Sequence, residues 1–283
     1  MRPSRRWGQH FLVSPRTLDR TLDAASLSRD DSVLEVGAGI GTLTLGLADR
    51  AGWVTAVEVD RRLVSALEAI VGPRPNVRIV QGDILALPAE ALFDGPAGAP
   101  RKVVANLPYN IASAVLTRLL EEPLGLAVLV VTVQREVAER IAARPGGRAY
   151  GRLSIAVQYR AVPRIIARIS PGAFLPQPAV ESALVELRPL PRPAVEVPDE
   201  GTFFRVVAAG FAQRRKTLHN SLASVLDQPR EVVARALGEA GIDPRARAET
   251  LDLAAFGRLA WALAVPLRTA PPPLRPRGRG RRS

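Results

Sequence analysis

The segment Asn106-Leu107-Pro108-Tyr109-Asn110 carries the side chains best suited to chemistry in this sequence. An exocyclic amine on an aromatic base is a poor nucleophile, because its lone pair is delocalised into the ring. Two acceptors that hold its N–H groups favour the pyramidal nitrogen of a transition state, and the Asn106 side-chain carbonyl and the Pro108 backbone carbonyl can supply them. Tyr109 can stack on a base taken out of its helix. The alternative is an ordinary turn built around Asn and Pro.

A glycine turn and two acids earlier in the chain predict a nucleoside-type ligand. Gly37, Gly39 and Gly41 let the backbone approach a ligand beneath a helix N-terminus, with G-x-G-x-G spacing rather than the G-x-G-x-x-G of dinucleotide sites. Glu58 lies 21 residues after Gly37, where an acid can accept hydrogen bonds from ribose hydroxyls. Asp83 follows the next strand and could accept from an adenine amine. Each feature has a plainer alternative, namely a packing turn, a solvated acid at a strand end and a helix cap.

The elements that must position these side chains alternate between strand and helix patterns over the first 190 residues, which predicts an α/β sheet. Strands are predicted at 32–36, 53–59, 76–80, 102–105, 124–133, 163–169 and 181–187. Helices are predicted to begin at 14–15 and to cover 42–50, 61–71 and 135–143. Ligands of open α/β sheets bind at the carboxyl ends of the strands, so we expect the glycine turn and the 106–110 segment to face one pocket.

The remainder of the chain changes character after a proline-rich linker at 189–198. Residues 202–265 show only helical patterns, and residues 267–283 lack hydrophobic periodicity. We therefore expect an α/β domain over 1–190, a small all-helical domain over 199–266 and a disordered Arg/Pro-rich tail over 267–283.

The composition excludes several classes of protein. The chain has no cysteine and two histidines, which excludes disulfides and thiolate sites and gives no basis for a metal site. The longest apolar stretch, 124–133, is shorter than the ~18 residues of a membrane span, and no signal peptide is visible. We expect a cytoplasmic protein with no membrane partner, and a monomer as the default state.

The net charge of +12 favours a polyanionic partner, with nucleic acid ahead of an anionic membrane surface. The six arginines of residues 267–283 account for half of this excess, so the body of the chain is basic as well. Only Lys102 and Lys216 are lysines, so a coding preference explains why the basic residues are mostly arginine. It does not explain why basic residues outnumber acidic ones.

Several motifs together resemble the small-subunit branch of the ribosomal RNA adenine dimethyltransferases, over residues 5 to about 265. The 106–109 segment resembles the catalytic motif of adenine-N6 methyltransferases, and residues 8–12 (GQHFL) resemble the N-terminal motif of the ribosomal RNA enzymes. Further matches are 134–140 (QREVAER), 150–154 (YGRLS), 174–182 (FLPQPAVES) and 211–218 (FAQRRKTL). The resemblance implies a Rossmann-like methyltransferase sheet that uses S-adenosylmethionine to dimethylate two adjacent adenosines near the 3′ end of small-subunit rRNA.

The resemblance also assigns residues to roles. It places Phe174 opposite Tyr109 in the target-base pocket, beside the catalytic Asn106 and Pro108. The implied cofactor residues are Gln9, His10, Leu12, Gly37, Gly39, Glu58, Asp83, Ile84 and Asn106. The implied RNA-binding residues are Arg214, Arg215 and Lys216, which open a predicted helix, and Arg144, Arg148 and Arg152. The small ribosomal subunit or its precursor is the implied partner.

Two other functions stay open at this point. A large-subunit rRNA adenine methyltransferase that confers macrolide resistance would share the fold and the Asn-x-Pro-Tyr/Phe motif, and some of its relatives carry Arg-Gly tails. The 150–154 and 211–218 segments favour the small-subunit branch. A ribosome-assembly or nucleic-acid-binding factor without activity is the third hypothesis, and the intact set of Gly37, Glu58, Asp83, Asn106 and Tyr109 argues against it.

Overall fold

The structure is a computed structural model that describes residues 10–213 and 215–269. It divides into two compact units. The sheet unit holds residues up to 143 together with 156–194, and the helical unit holds 144–155 and the chain from 195 onward. Within these described residues no helix is both long and apolar enough to cross a membrane.

Nine strands form two sheets in the sheet unit. They are β1 (Phe11–Leu12), β2 (Ser32–Val36), β3 (Trp53–Glu58), β4 (Val77–Gln81), β5 (Arg101–Asn106), β6 (Leu126–Gln134), β7 (Ala161–Ile169), β8 (Phe174–Leu175) and β9 (Ser182–Pro189). The large sheet has the order β4-β3-β2-β5-β6-β9-β7, in which β2 to β6 are parallel and β9 is antiparallel to both its neighbours. Seven predicted strands are therefore confirmed within two residues at each end.

Strands β1 and β8 form a small antiparallel ribbon that the sequence analysis does not predict. Phe11 pairs with Leu175, and Leu12 pairs with Phe174. Two-residue strands leave no periodic pattern in a sequence, so only the structure reveals that the segment beginning at His10 is joined to the loop that contains Phe174.

The described residues also form ten α-helices. They are α1 (Pro15–Ala24), α2 (Thr42–Ala48), α3 (Arg61–Val71), α4 (Ala112–Glu121), α5 (Arg135–Ile141), α6 (Arg152–Gln158), α7 (Glu200–Phe211), α8 (Leu218–Leu226), α9 (Arg230–Glu239) and α10 (Leu253–Thr269). Ser14 caps α1 by accepting a hydrogen bond from the Thr17 N–H, and Pro15 occupies the first turn, as predicted. Asp60 caps α3 in the same way through the Arg62 N–H.

The core of the sheet unit lies beneath the carboxyl ends of the parallel strands. Strand β2 is buried along its whole length, as expected for a strand covered on both faces. Val33, Val54, Val104 and Val130 from four adjacent strands pack together with Leu47 of α2. Burial of these side chains fixes the strand ends from which the loops of the site emerge.

The helical unit differs from the predicted domain boundaries in two places. Residues 144–155 belong to it, because Tyr150 packs edge-on against Phe211 and the Gly146 N–H donates to the Glu249 carbonyl at 2.7 Å. Helix α10 also runs to Thr269, so residues 267–269 are helical rather than part of a tail. Leu267 is buried and continues, at helical spacing, the buried face of Leu259 and Leu263. The rest of the predicted tail lies outside the described residues.

The basic triplet at 214–216 does not open a helix as predicted. Arg215 and Lys216 lie in the turn before α8, and Arg214 is outside the described residues. The helix begins only after Thr217, whose hydroxyl accepts a hydrogen bond from the Asn220 N–H and acts as the cap.

Candidate active site

A cleft opens at the carboxyl ends of β2 to β5, where the sequence analysis places the ligand. It encloses about 1110 Å³, open solvent at its mouth included, which is ample for a small-molecule ligand. Four consecutive βα loops and the segment around β1 line it. Of the predicted cofactor and catalytic residues, those that line the cleft are His10, Leu12, Gly37, Gly39, Glu58, Asp83, Ile84, Asn106, Pro108 and Tyr109.

Two predicted site residues do not join this group. Gln9 lies outside the described residues. Phe174 is 1% exposed and packs in the core with Leu12, Ile169 and Leu184, so its ring does not line the cleft. Pairing with β1 turns this side chain into the core and leaves its neighbour Leu175 exposed, and the contact of Phe174 with the target base stays a prediction.

The glycine turn brings two walls of the cleft into close contact. Gly37 has φ +73°, and a Cβ there would lie 3.3 Å from the Pro108 ring. Gly39 has φ +60°, and its Cβ would lie 3.0 Å from the Phe11 ring. Both positions favour glycine for its backbone conformation and for this close approach. The turn can therefore present bare backbone to a ligand while the 106–110 segment lies directly against it.

Glu58 connects the end of β3 to the glycine turn. Its Oε2 accepts a hydrogen bond from the Gly39 N–H at 2.9 Å, and its Oε1 accepts from the N–H groups of Val59 and Asp60, each at 2.9 Å. An ionised carboxylate can accept about four hydrogen bonds, so a lone pair remains on Oε2 for a ligand hydroxyl. The side chain is only 5% exposed and its position in the cleft wall is fixed.

Replacing Glu58 with Ala should weaken binding of S-adenosylmethionine roughly 10- to 150-fold, because hydrogen bonds to a charged acceptor contribute about 1.5–3 kcal/mol. Isothermal titration calorimetry measures this directly. Glu58→Gln keeps an acceptor for the Gly39 N–H, and we expect it to lose less affinity. Glu68→Ala on the exposed face of α3 is the matched control. An unchanged dissociation constant for the Glu58 variants would contradict the assignment.

Asp83 and Ile84 form the turn after β4. The Asp83 Oδ1 accepts from the Leu85 N–H at 2.9 Å, and Oδ2 has no partner within the described part of the chain. Ile84 is buried and contributes an apolar surface to the cleft. The turn can therefore offer one carboxylate acceptor next to an apolar wall, a combination that suits an adenine ring.

Arg118 holds this turn in place, and the sequence analysis does not identify it. Its guanidinium on α4 donates to the carbonyls of Ile84 and Leu87 and forms an ion pair with Glu122 at 2.7 Å. No local signal marks such a residue, because α4 is not predicted and the contacts span more than 30 residues of chain.

Asn106 presents an acceptor that none of the described residues satisfies. Its Nδ2 donates to the His10 carbonyl at 2.8 Å, and this fixes the orientation of the amide, because a carbonyl can only accept. The opposite end, Oδ1, is buried and has no hydrogen-bond partner among the described residues. A buried unsatisfied acceptor costs about 1–3 kcal/mol, so the site is arranged for a donor that arrives with a ligand.

Pro108 and Tyr109 complete this wall. The Pro108 carbonyl accepts from the Ile111 N–H at 3.2 Å and keeps its second lone pair. The Tyr109 hydroxyl lies 2.5 Å from the Ser182 Oγ, and burial raises the pKa of Tyr109 above its ordinary value. The Tyr109 ring stacks on His10 with centroids 5.2 Å apart, which places both residues at the cleft wall. The His10 and Ser182 contacts with Tyr109 span long stretches of chain and cannot be read from local sequence.

Glu35 is an ionisable residue of the cleft that the sequence analysis does not single out. It is 2% exposed, and the Thr44 hydroxyl donates to its Oε2 at 2.6 Å. Burial, and to a smaller extent the charge of Glu58, raises the pKa of Glu35 to about 8. Glu35 is therefore mostly neutral at pH 7. An acid inside the otherwise apolar strand 32–36 was the available signal.

The predicted RNA-binding residues that are described lie in the helical unit. Arg144, Arg148, Arg152, Arg215 and Lys216 are all exposed. Tyr150 lies in the segment that holds the arginines at 144, 148 and 152, and Phe211 ends α7, shortly before Arg215 and Lys216. The two rings pack edge-on with their centroids 6.1 Å apart, and this contact joins the two segments. The five cations therefore belong to two connected segments of one unit.

Comparison with known proteins gives a consistent result. Residues 2–263 match the family model described as "Ribosomal RNA adenine dimethylase". The chain is 45% identical to a ribosomal RNA small subunit methyltransferase A of Geobacillus kaustophilus, with 91% of this chain and 89% of the relative covered. It is 43% identical to the protein of the same name in Bacillus cereus, with 91% and 90% covered.

Two solved structures resemble this one over 90% of its length. The first is a dimethyladenosine transferase from Plasmodium falciparum, with a TM-score of 0.76 and 25% identity over 98% of that chain. The second is the 23S rRNA methyltransferase ErmE, with a TM-score of 0.67 and 30% identity over 99% of that chain.

Proposed function

Because the chain belongs to the ribosomal RNA adenine dimethylase family, we propose that it dimethylates the N6 atoms of two adjacent adenosines near the 3′ end of small-subunit rRNA, with S-adenosylmethionine as methyl donor. The observation that carries this proposal is the buried, unpartnered Oδ1 of Asn106 at the cleft wall. The identity of 43–45% to small-subunit enzymes over 91% of the chain supports the choice of substrate.

The cleft fits S-adenosylmethionine. Gly37 and Gly39 offer backbone that a ligand can approach closely, and Glu58 retains a lone pair for a ribose hydroxyl. Asp83 and Ile84 offer an acceptor and an apolar surface for the adenine. When bound, the cofactor supplies an electrophilic methyl group on a positively charged sulfur. The carboxylates of Glu58 and Asp83 make the cleft favourable for that charge within a protein that is otherwise basic.

Asn106 and Pro108 act on the target adenine. In the first transfer the amine of the base donates one N–H to the Asn106 Oδ1 and the other to the free lone pair of the Pro108 carbonyl. In the second transfer the monomethylated amine has one N–H left, which one of these two acceptors holds. Both acceptors hold the nitrogen while its lone pair leaves conjugation with the ring and becomes tetrahedral. The His10 carbonyl accepts from the Asn106 Nδ2 and so keeps Oδ1 as the end of the amide that is open to the amine. Tyr109, held by Ser182, supplies a ring against which the extruded base stacks.

The exposed cations of the helical unit suit contacts with rRNA phosphates. Arg144, Arg152, Arg215 and Lys216 form no ion pair within 4 Å in the described part of the chain. Such contacts hold and orient the RNA and do not select a base. We include Arg148 and Arg214 in this surface on the basis of their positions in the sequence. We also propose that the chain acts as a monomer in the cytoplasm, where the small ribosomal subunit is assembled.

Methylation of large-subunit rRNA is the second candidate, because ErmE is 30% identical over 90% of this chain. The test is methyl transfer from labelled S-adenosylmethionine to unmethylated small subunits and, separately, to protein-free large-subunit RNA. We expect N6,N6-dimethyladenosine at two adjacent positions of the small-subunit RNA only. Transfer to the large-subunit RNA alone would replace the proposal with the second candidate.

A further inference from the structure

A second groove in the sheet unit has the chemistry of a phosphate-binding surface. We call it the α1 groove. It lies between the first turns of α1 and the end of β7, and the polar residues that line it are Ser14, Arg16, Thr17, Arg20, Arg168 and Ser170. No acidic residue lines the groove among those that the structure describes. Three guanidinium groups in one concave surface create a local positive field within the sheet unit.

None of these three arginines is used in holding the fold together. Arg16, Arg20 and Arg168 are exposed, and none forms an ion pair within 4 Å or a side-chain hydrogen bond within residues 10–213 and 215–269. Arg164, four residues before Arg168 on the same strand, instead pairs with Glu186 at 3.2 Å. Of the two acids of α1, Asp23 pairs with Arg50 at 2.9 Å, and Asp19 does not line the groove and forms no ion pair within 4 Å among the described residues. The donors of the α1 groove are therefore available to an external anion.

The α1 groove and the active-site cleft are lined by adjacent parts of the chain. Phe11 and Leu12 line the cleft, and the next two residues, Val13 and Ser14, donate their N–H groups to the Ala173 carbonyl at 2.9 and 3.3 Å. Ser14 and Ala173 both line the groove. The four residue-to-residue steps from Leu12 to Arg16 span at most about 14 Å. A strand that places one base in the cleft therefore reaches the groove with the nucleotides next to it.

We propose that the α1 groove binds the sugar–phosphate backbone of the rRNA strand that flanks the adenosine in the cleft. This inference rests on the proposed function. Arginine matches phosphate by forked, charge-assisted hydrogen bonds, and three of them can engage successive phosphates without reading sequence. The groove positions the strand so that the extruded adenosine enters the cleft, whereas Asn106 and Pro108 carry out the chemistry.

The test compares a triple variant, R16Q/R20Q/R168Q, with a control of equal charge, R192Q/R230Q/R235Q. The control residues are also exposed and form no ion pair within the described ranges, and none lines the groove or the cleft. Initial rates of methyl transfer to unmethylated small subunits are measured at saturating S-adenosylmethionine between 50 and 200 mM salt. KM, kcat and the methylated positions are determined for each protein.

We expect the triple variant to raise KM for the subunits by about tenfold or more at physiological salt, with kcat and the methylated positions unchanged. The dependence of log KM on log salt should become flatter by about 2, because each lost single-strand phosphate contact contributes about 0.7. A triple variant with the parent KM and salt slope, or a control that shifts equally, would overturn the proposal. If the triple variant does not fold, each single substitution should flatten the slope by about 0.7.

A second measurement distinguishes an error in the proposed function from an error in the RNA-binding role proposed for the α1 groove. Filter binding of the 3′-terminal small-subunit rRNA fragment gives a second measurement that does not depend on catalysis. A parent protein that binds this RNA through the groove but transfers no methyl group would contradict the proposed function and support the groove. If the parent methylates normally and R16Q/R20Q/R168Q binds the RNA fragment with the affinity of the parent, the result would contradict the role proposed for the α1 groove and leave the proposed function intact.

Discussion

Asn106→Ala should slow methyl transfer about 10²- to 10³-fold in a single turnover with saturating small subunits and S-adenosylmethionine. The substitution removes the buried Oδ1 that accepts from the reacting amine, and loss of one transition-state hydrogen-bond partner in other enzymes has an effect of this size. Affinity for the subunit should change little, because phosphate contacts dominate it. Rapid-quench measurement of methylated adenosine separates the transfer step from binding.

Two further variants sharpen this result. Asn106→Asp keeps an acceptor but replaces the Nδ2 donor with an oxygen that faces the His10 carbonyl, so the carboxylate loses the contact that orients it. We expect slow transfer with cofactor affinity equal to or above that of the parent, because the added negative charge attracts the sulfonium. Asn110→Ala, an exposed amide in the same segment, should stay close to the parent rate. Transfer by Asn106→Ala at the parent rate would show that the motif is a structural turn.

Glu35→Gln should stabilise the protein in alkaline solution and change its stability little in acid. The pKa of Glu35 is raised to about 8 from 4.5, so between these values the native state holds a proton that the unfolded state has lost. The free energy of unfolding of the parent therefore falls by about 1.4 kcal/mol per pH unit from this residue as pH rises from 4.5 to 8, and this loss levels off above 8. Gln is neutral throughout and still accepts from the Thr44 hydroxyl.

The measurement is urea denaturation of the parent and Glu35→Gln at several pH values from 5 to 9. The stability advantage of the variant should grow through this range to several kcal/mol. Glu68→Gln, on an exposed face of α3, removes the same charge from solvent and controls for net charge. A difference between Glu35→Gln and the parent that is constant from pH 5 to 9 would contradict a protonated Glu35 in the native cleft.

Local sequence signals predict those parts of the site that one strand and the loop after it supply. Gly37 and Asp83 follow strands, and Glu58 and Asn106 end strands. Parallel strands bring their carboxyl ends to the same edge, so the convergence of these residues could be foreseen. The acceptor role of Asn106 follows from amide chemistry alone. The lack of a partner for Oδ1 among the described residues could not be predicted from amide chemistry. It depends on the hydrogen bond that the Nδ2 of Asn106 donates to the His10 carbonyl, 96 residues away in the chain.

Features that depend on tertiary contacts could not be predicted. Phe174 has the residue type expected of a base-stacking aromatic, but its pairing with Leu12 directs it into the core. Arg118 reaches the Asp83 turn from α4, a helix that the sequence analysis does not predict although its apolar residues are at helical spacing, and the Tyr109 contact with Ser182 joins residues 73 positions apart. Side-chain burial and long-range hydrogen bonds are decided by packing, on which sequence spacing carries no information.

The distance from the adenine N6 to the Asn106 Oδ1 tests the central claim most directly. It is measured in a structure of this protein with S-adenosylhomocysteine and the 3′-terminal rRNA fragment that contains the two adenosines. We predict that N6 of the extruded adenosine lies within hydrogen-bond distance, about 2.7–3.2 Å, of both the Asn106 Oδ1 and the Pro108 carbonyl oxygen. An adenosine bound in the cleft with its N6 away from Asn106, and with Oδ1 still unpartnered, would contradict this account.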